Sequence, residues 1–108
     1  MVVKKDGRRE KFDRQKILHG LFRACEKRPL TGDQIEGLTS SLEASLRQKN
    51  RTEISVSEIG ERILDRLREL DEVAYVRYAS VYKDFDDVSR FIEELQTLPS
   101  YRSGENDD

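Results

Sequence analysis

Apolar positions recur at helical spacing over most of this chain, and the runs break where turn and capping residues stand. Ile17, Leu18, Leu21, Phe22 and Cys25 predict a first helix over about 14–27. Asp13 stands where an N-cap belongs, its carboxylate placed to accept from free amides of the first turn. Arg28-Pro29 ends the segment, because proline disfavours helix in the residue before it. Ile35, Leu38, Leu42 and Leu46 form a narrow stripe, giving a second helix from the cap candidate Thr31 to about residue 49. A turn at Asn50-Arg51 and a short extended segment from Thr52 to Ser55 follow. Ser55-Val56-Ser57-Glu58 has the form of a capping box and opens a third helix carrying Ile59, Ile63, Leu64, Leu67 and Leu70. Gly60 lies inside it at a cost of up to about 1 kcal/mol relative to alanine. Such a cost suggests close approach by a neighbouring helix or a ligand.

Asp71-Glu72 restarts a helix with negative charge at its positive end. Val73, Ala74, Val76, Tyr78, Ala79, Val81, Tyr82 and Phe85 make it apolar on much of its circumference, so it reads as the most buried element or as an oligomer contact. A last helix over about 87–97 places Val88, Phe91, Ile92, Leu95 and Leu98 on one face, a stripe wide enough for part of it to await a partner chain. At the other end, short extended runs over 2–5 and 8–12 flank Asp6-Gly7, a strong signal for a two-residue hairpin. With 52–55 as a third strand, the expected fold is mainly α with a small β part. It is a four- to five-helix bundle capped by a three-stranded antiparallel sheet. Residues 1–98 form the domain and 99–108 a flexible acidic tail.

A chain of 108 residues suits one domain with one modest core. Its net charge of −2 conceals an asymmetry: residues 1–30 carry ten Lys or Arg against four Asp or Glu, and the remainder ten against eighteen. A basic head favours phosphates or nucleic acid, while the acidic remainder argues against wrapping the whole surface in DNA. Cys25 is the single cysteine, which excludes an intrachain disulfide and a Cys-rich zinc site; on its apolar stripe it reads as a small buried hydrophobe. His19 has no second ligand at metal-binding spacing. No apolar run approaches a membrane span and the start is charged instead of signal-like, so the chain reads as soluble and cytoplasmic.

The densest chemistry is at the start. Lys4 and Lys5 on one strand, Arg8 and Arg9 on its neighbour, and Lys16 early in the first helix can converge on one phosphate-sized volume. Strand alternation means that only one of each pair need face it. The free amides opening the first helix suit an anion as well. A solvated basic hairpin is the competing reading. Glu10 is either a salt-bridge partner or an acceptor for a ribose or base edge. Tyr75, Tyr78 and Tyr82 form an aromatic core stripe, or one of them, Tyr82 foremost, lies against a purine. The chain has no nucleophile–base set, no Walker-type loop and no marked acid–base carboxylate pair, so no catalytic residue is assigned and a nucleotide here would be sensed, not hydrolysed.

Val3-Lys4-Lys5-Asp6-Gly7, Glu10, Phe12-Asp13 and Lys16-Ile17 resemble the signature of the ATP-cone. This regulatory nucleotide-binding domain opens many ribonucleotide reductases and occurs in the NrdR family of bacterial repressors of reductase genes. Arg23-Ala24-Cys25-Glu26-Lys27-Arg28-Pro29, Ser57-Glu58-Ile59-Gly60 and the stretch from Leu70 to Tyr82 favour the repressor family. The resemblance implies a sheet-capped bundle that binds ATP or dATP, with Mg2+ as an optional companion, and a homo-oligomer whose state follows the nucleotide. It implies that Lys4, Lys5 and Lys16 hold phosphates and that Val3 and Glu10 contact the nucleoside, beside the Arg9 already named. Ser57 and Gly60 lie where reductase cones place base- and ribose-recognising side chains; Gly60 has none to offer, and Tyr82 takes part of that task. The family reads DNA through an N-terminal zinc ribbon with four cysteine ligands. No such ribbon is in this sequence, so no zinc is expected here and DNA contact is expected only through that missing module. A fragment of a longer protein is expected over a free-standing cone. The alternatives are the allosteric cone of a reductase and a basic nucleic-acid-binding helical module.

Overall fold

The computed structural model describes residues 1–48 and 53–100. Among these, the helices α1 (Arg14–Ala24), α2 (Gly32–Gln48), α3 (Val56–Leu70), α4 (Glu72–Lys83) and α5 (Val88–Leu95) accompany the strands β1 (Val2–Val3), β2 (Arg9–Glu10) and β3 (Ile54–Ser55). The apolar stripes meet in one core. Leu18 and Leu21 of α1, Ile35, Leu38 and Leu42 of α2, and Ile59, Ile63, Leu64 and Leu67 of α3 are buried with Ala74, Tyr75 and Ala79 of α4. Val2 and Leu98 close it at its edges.

Capping chemistry sets the helix starts. The Asp13 carboxylate accepts from Lys16 N–H at 3.2 Å. Thr31 and Gln34 cap each other: Gln34 N–H donates to Thr31 Oγ1 at 3.1 Å and Thr31 N–H donates to Gln34 Oε1 at 2.8 Å. Ser55 Oγ accepts from Glu58 N–H at 3.1 Å and Asp87 from Arg90 N–H at 2.9 Å. The first helix stops at Ala24, short of residue 27, because the chain turns before the proline is reached. Lys27 takes a left-handed φ of 61°, and Arg77 of α4 donates to the terminal carbonyls of Ala24 (3.2 Å) and Glu26 (2.7 Å).

The sheet differs from the expected one. Its order is β2-β1-β3; β1 pairs antiparallel with β2 (Val2↔Glu10, Val3↔Arg9) but parallel with β3 (Val2↔Ile54, Val3↔Ser55). The sheet is therefore mixed, not antiparallel throughout. A tight turn forces reversal, whereas the long excursion through α1 and α2 leaves the direction of β3 free. The hairpin loop is also longer than two residues. Lys4 N–H donates to Arg8 O at 2.8 Å and Gly7 N–H to Lys4 O at 2.9 Å, leaving Lys5, Asp6 and Gly7 as the loop. Gly7 has a φ of +87°, the left-handed residue that completes a three-residue hairpin loop. The turn expected at Asn50-Arg51, Thr52 at the head of the third extended segment, and the tail from residue 101 onward lie outside the described residues.

Helix α4 is amphipathic, not buried all round: Ala74, Tyr75 and Ala79 are fully buried while Val81 is 84 % exposed. α3 buries more positions, Ile59, Gly60, Ile63, Leu64 and Leu67. The two helices pack on each other, and Gly60 explains itself there. A Cβ at residue 60 would stand 2.3 Å from Cε2 and Cζ of Tyr82, so the ring occupies the space that any other side chain needs. Tyr82 OH then donates to Ser57 O at 2.9 Å. Gly60→Ala is expected to destabilise the fold by displacing Tyr82. In a Tyr82→Ala background the same change should stabilise by up to about 1 kcal/mol, the ordinary helical preference for alanine. Denaturant unfolding of the four variants checks this, and equal effects of Gly60→Ala in both backgrounds would refute it.

Asp71 serves both helices at once. Its backbone N–H donates to Leu67 O at the end of α3 at 2.8 Å. Its carboxylate accepts from Ala74 N–H at 2.9 Å and from Arg28 Nε at 3.0 Å. Burial raises its pKa, but the hydrogen bonds from Ala74 and Arg28 outweigh it and hold the group below the ordinary 3.8. A depressed carboxylate contributes stability above its unfolded-state pKa and loses it as pH falls through the lower folded-state value. Asparagine caps a helix as aspartate does, so Asp71→Asn removes the charged partner of Arg28 and is expected to cost about 1 kcal/mol at neutral pH. The gap to wild type should stay flat down to about pH 5 and shrink below 3.8, as read by unfolding at several pH values.

Candidate functional site

The hairpin, the start of α1 and the facing surfaces of α3 and α4 enclose a cavity of about 550 Å³, inside the usual range for small-molecule sites. Its floor is apolar, made by Val2, Phe12, Ile17, Val56, Ile59 and Ile63, with Gly60, Tyr78 and Tyr82 on one wall. Its mouth is charged, with Lys4, Lys5, Arg8, Lys11 and Lys16 beside Asp6, Glu10 and Asp13.

Strand geometry sorts the hairpin residues. Val2 lies opposite Glu10, and Lys4 faces Arg8 across the turn, so these four share one face of the ribbon and all line the cavity. Val3 and Arg9 take the other face, and the Arg9 Nε pairs with Glu53 there. Lys5 escapes alternation because it belongs to the loop, so both Lys4 and Lys5 reach the mouth. The start of α1 adds Lys16 and partial positive charge from its first amides.

Electrostatic partners then divide the cations. Lys4 Nζ lies 3.4 Å from Glu10, and Arg8 Nε lies 2.6 Å from Asp6. Arg14 is committed to α2 through Glu36 and Glu43, each at 2.8 Å. Lys5, Lys11 and Lys16 have no ion-pair partner among the described residues, and all three line the cavity. Asp6 accepts the backbone N–H and the side chain of Arg8, which holds its carboxyl below the ordinary 3.8 and keeps it charged. Burial, with Tyr82 beside it, pushes the Tyr78 phenol up, so it stays protonated as a donor.

Of the residues singled out in the sequence, Lys4, Lys5, Glu10, Lys16, Gly60 and Tyr82 come together around this cavity. Val3, Arg9 and Ser57 do not line it; Ser57 is adjacent, its carbonyl accepting from Tyr82. Lys11, Phe12 and Tyr78 also line it and had not been singled out for the site. Lys11 and Phe12 were legible in principle, since the short link from β2 to α1 must cross the mouth. Tyr78 stands one turn before Tyr82 on the same helical face. Elsewhere, Cys25 is buried, and burial pushes its thiol pKa up, with Asp71 adding to the effect. His19 is exposed and outside the cavity. No cluster of three or more His, Cys, Asp or Glu among the described residues is placed to hold a metal ion, and no described helix is long and apolar enough to cross a membrane.

Comparison with known proteins matches residues 1–88 to the ATP cone domain. A transcriptional repressor NrdR from Myxococcus xanthus is 54 % identical over 98 residues, covering 91 % of this chain and 58 % of that protein. Its namesake from Acidobacterium capsulatum is 55 % identical over 98 residues, with 91 % and 58 % covered. That from Thermotoga neapolitana is 50 % identical over 105 residues, with 97 % and 67 % covered. The chain thus spans roughly three fifths of the length of the first two relatives. A basic hairpin, a capped helix start and a Gly60–Tyr82 wall enclose one cavity, and the matched region contains all of them. The chain belongs to the ATP-cone family, in the form carried by the NrdR repressors.

Proposed function

We propose that this chain is the adenine-nucleotide-sensing domain of an NrdR-type transcriptional repressor of ribonucleotide reductase genes. One observation carries the reading: three lysines without ion-pair partners among the described residues and a helix N-terminus meet at the mouth of a cavity whose floor is apolar. That division suits a molecule with a polyanionic end and a flat apolar end. In this reading Lys5, Lys11 and Lys16 hold the phosphates of ATP or dATP, and Arg8 adds its two terminal nitrogens, its Nε being held by Asp6. The purine lies over the floor beside Tyr82. Glu10, steadied by Lys4, accepts from the nucleoside. An accompanying Mg2+ would be held by phosphate oxygens and water, in the manner usual for that ion.

The relatives are named as transcriptional repressors, which favours this reading over the cone of a reductase. A nucleic-acid-binding module is the weaker alternative, because the unpaired lysines line a concavity and the rest of the chain carries net negative charge. The nucleotide is read out as oligomeric state in a cytoplasmic repressor, and DNA contact belongs to a zinc ribbon of the kind described above. Val81 and Val88, 84 % and 71 % exposed, are available for contacts between copies.

Calorimetric titration with ATP and dATP tests the proposal, and absence of heat from both at high micromolar concentration would sink it. Lys5→Glu and Lys16→Glu should each weaken binding about tenfold or more, beyond the ~1 kcal/mol of an exposed ion pair. Arg9→Ala, on the opposite face, should change it little; a comparable loss there would return Arg9 to the site. Size measurement with ATP, with dATP and with neither should give at least two different assemblies.

A further inference from the structure

Helix α5 is attached in an unusual way. None of its eight residues is buried, and Val88 and Ile92 face solvent. Phe91 stacks edge-on against Phe85 at 5.6 Å between ring centroids and Leu95 packs partly buried against the core, and the polar anchor beside them is a carboxylate. Glu94 is only 16 % exposed in its side chain and accepts from Tyr75 OH and, at 3.1 Å, from Lys83 Nζ, both on α4. Tyr75 is itself fully buried and accepts from Arg68 Nη2 of α3 at 2.7 Å, with the Arg68 guanidinium 4.7 Å from its ring centroid. Arg68 Nε is buried without a hydrogen-bond partner among the described residues, so the network rests on Nη2, Tyr75, Glu94 and Lys83, and removing one of these leaves further groups unpartnered.

Lys83 is the residue after Tyr82. Consecutive positions on a helix point about 100° apart, so the last turn of α4 presents Tyr82 to the cavity and Lys83 to α5. Beyond Lys83 the chain leaves the helix at once, with Asp84 in the left-handed region at φ 50°. Two contacts therefore pin this turn: the Tyr82 ring on Gly60 with its hydroxyl on Ser57 O, and Lys83 on Glu94.

We propose that Glu94 and Lys83 are positioning residues for the nucleotide cavity, acting through Tyr82, and that nucleotide occupancy is reported as tighter docking of α5. The direction follows from the geometry: the cavity wall is complete with α5 docked, and freeing Lys83 releases the turn that carries Tyr82. Coupling of this kind is reciprocal, so the factor by which an undocked α5 weakens the nucleotide equals the factor by which the nucleotide favours docking. The part concerning nucleotide rests on the function proposed above; the part concerning Tyr82 does not.

The test uses the whole chain with Glu94→Gln and Lys83→Met. Glu94→Gln keeps the size of the side chain, and Lys83→Met removes only a partly exposed partner, so a folded variant is available if one of them fails. Without nucleotide, both should shift the ring signal of Tyr82 in tyrosine-labelled protein and speed amide exchange over 88–95. Titration should show ATP bound about fivefold or more weakly by both variants, and ATP should slow exchange over α5 in the wild type by a similar factor. ATP binding that matches the wild type in both folded variants, or an unmoved Tyr82 ring, would overturn the proposal. If the wild type bound no ATP while the Tyr82 ring still moved in the variants, the nucleotide reading would fail and the link between Glu94 and Tyr82 would stand.

Discussion

The close approach of α4 to α3 is the constraint on which the rest depends. It is possible because the α3 residue under the Tyr82 ring is a glycine. Placing the Tyr82 ring over Gly60 lets a large side chain wall the cavity without pushing the helices apart. The cost of glycine within α3, up to about 1 kcal/mol against alanine, is offset by an aromatic contact and by the hydrogen bond from Tyr82 OH to Ser57 O. The same approach brings the end of α3 and the start of α4 to one residue, Asp71, which closes the first helix and caps the second.

Against this rigid side the hairpin sets a face that is incomplete electrostatically. Five cations against three carboxylates leave the mouth with an excess of positive charge, and the folded state carries the mutual repulsion of Lys5, Lys11 and Lys16 until an anion enters. A ligand that relieves it stabilises the folded state through binding, in proportion to its concentration over its dissociation constant. The apolar floor makes a simple inorganic anion a poor match for the whole cavity, since Val56, Ile59 and Ile63 gain nothing from it. In the proposed reading, charge supplies affinity for phosphate, and the floor supplies preference for something flat attached to it.

Much of this is legible in the amino-acid sequence. The helices announced themselves through Leu and Ile spacing and through caps at Asp13, Thr31 and Ser55, each of which forms as its residue type dictates. Gly60 signalled a close approach, but whether by a helix or by a ligand depended on Tyr82, a residue beyond the end of α3 that no local rule connects to it. The direction of β3 was not legible, because two residues carry no periodicity and the connection to them is long. Alternation misjudged Lys5 because the turn is one residue longer than the Asp-Gly signal implies, which takes Lys5 out of the strand. α4 read as the most buried element or as an oligomer contact because its valines and tyrosines surround it; the structure turns Val81 outward, against the first reading, and α3 buries more of its residues.

A charged fraction of 39 % leaves the question of how so polar a chain packs at all. Arginine supplies much of the answer. Arg14 spans α1 and α2, Arg62 donates from α3 to Ser45 of α2 at 2.9 Å, and Arg28 reaches Asp71. Arg77 closes the end of α1, and Arg68 underlies Tyr75. Each of these uses a planar fork of donors whose direction is fixed, which suits a clip between two elements. Lysine is a point charge on a flexible stem, less suited to that work and better suited to following phosphate groups that differ in number and position. Lys5, Lys11 and Lys16 are left for the cavity while the arginines hold the bundle. Arg8 lines the cavity and Lys83 clips α5 to α4, so the division is not complete, but exchanging the clipping arginines with the three cavity lysines would keep the net charge and lose both the clips and the adaptable mouth.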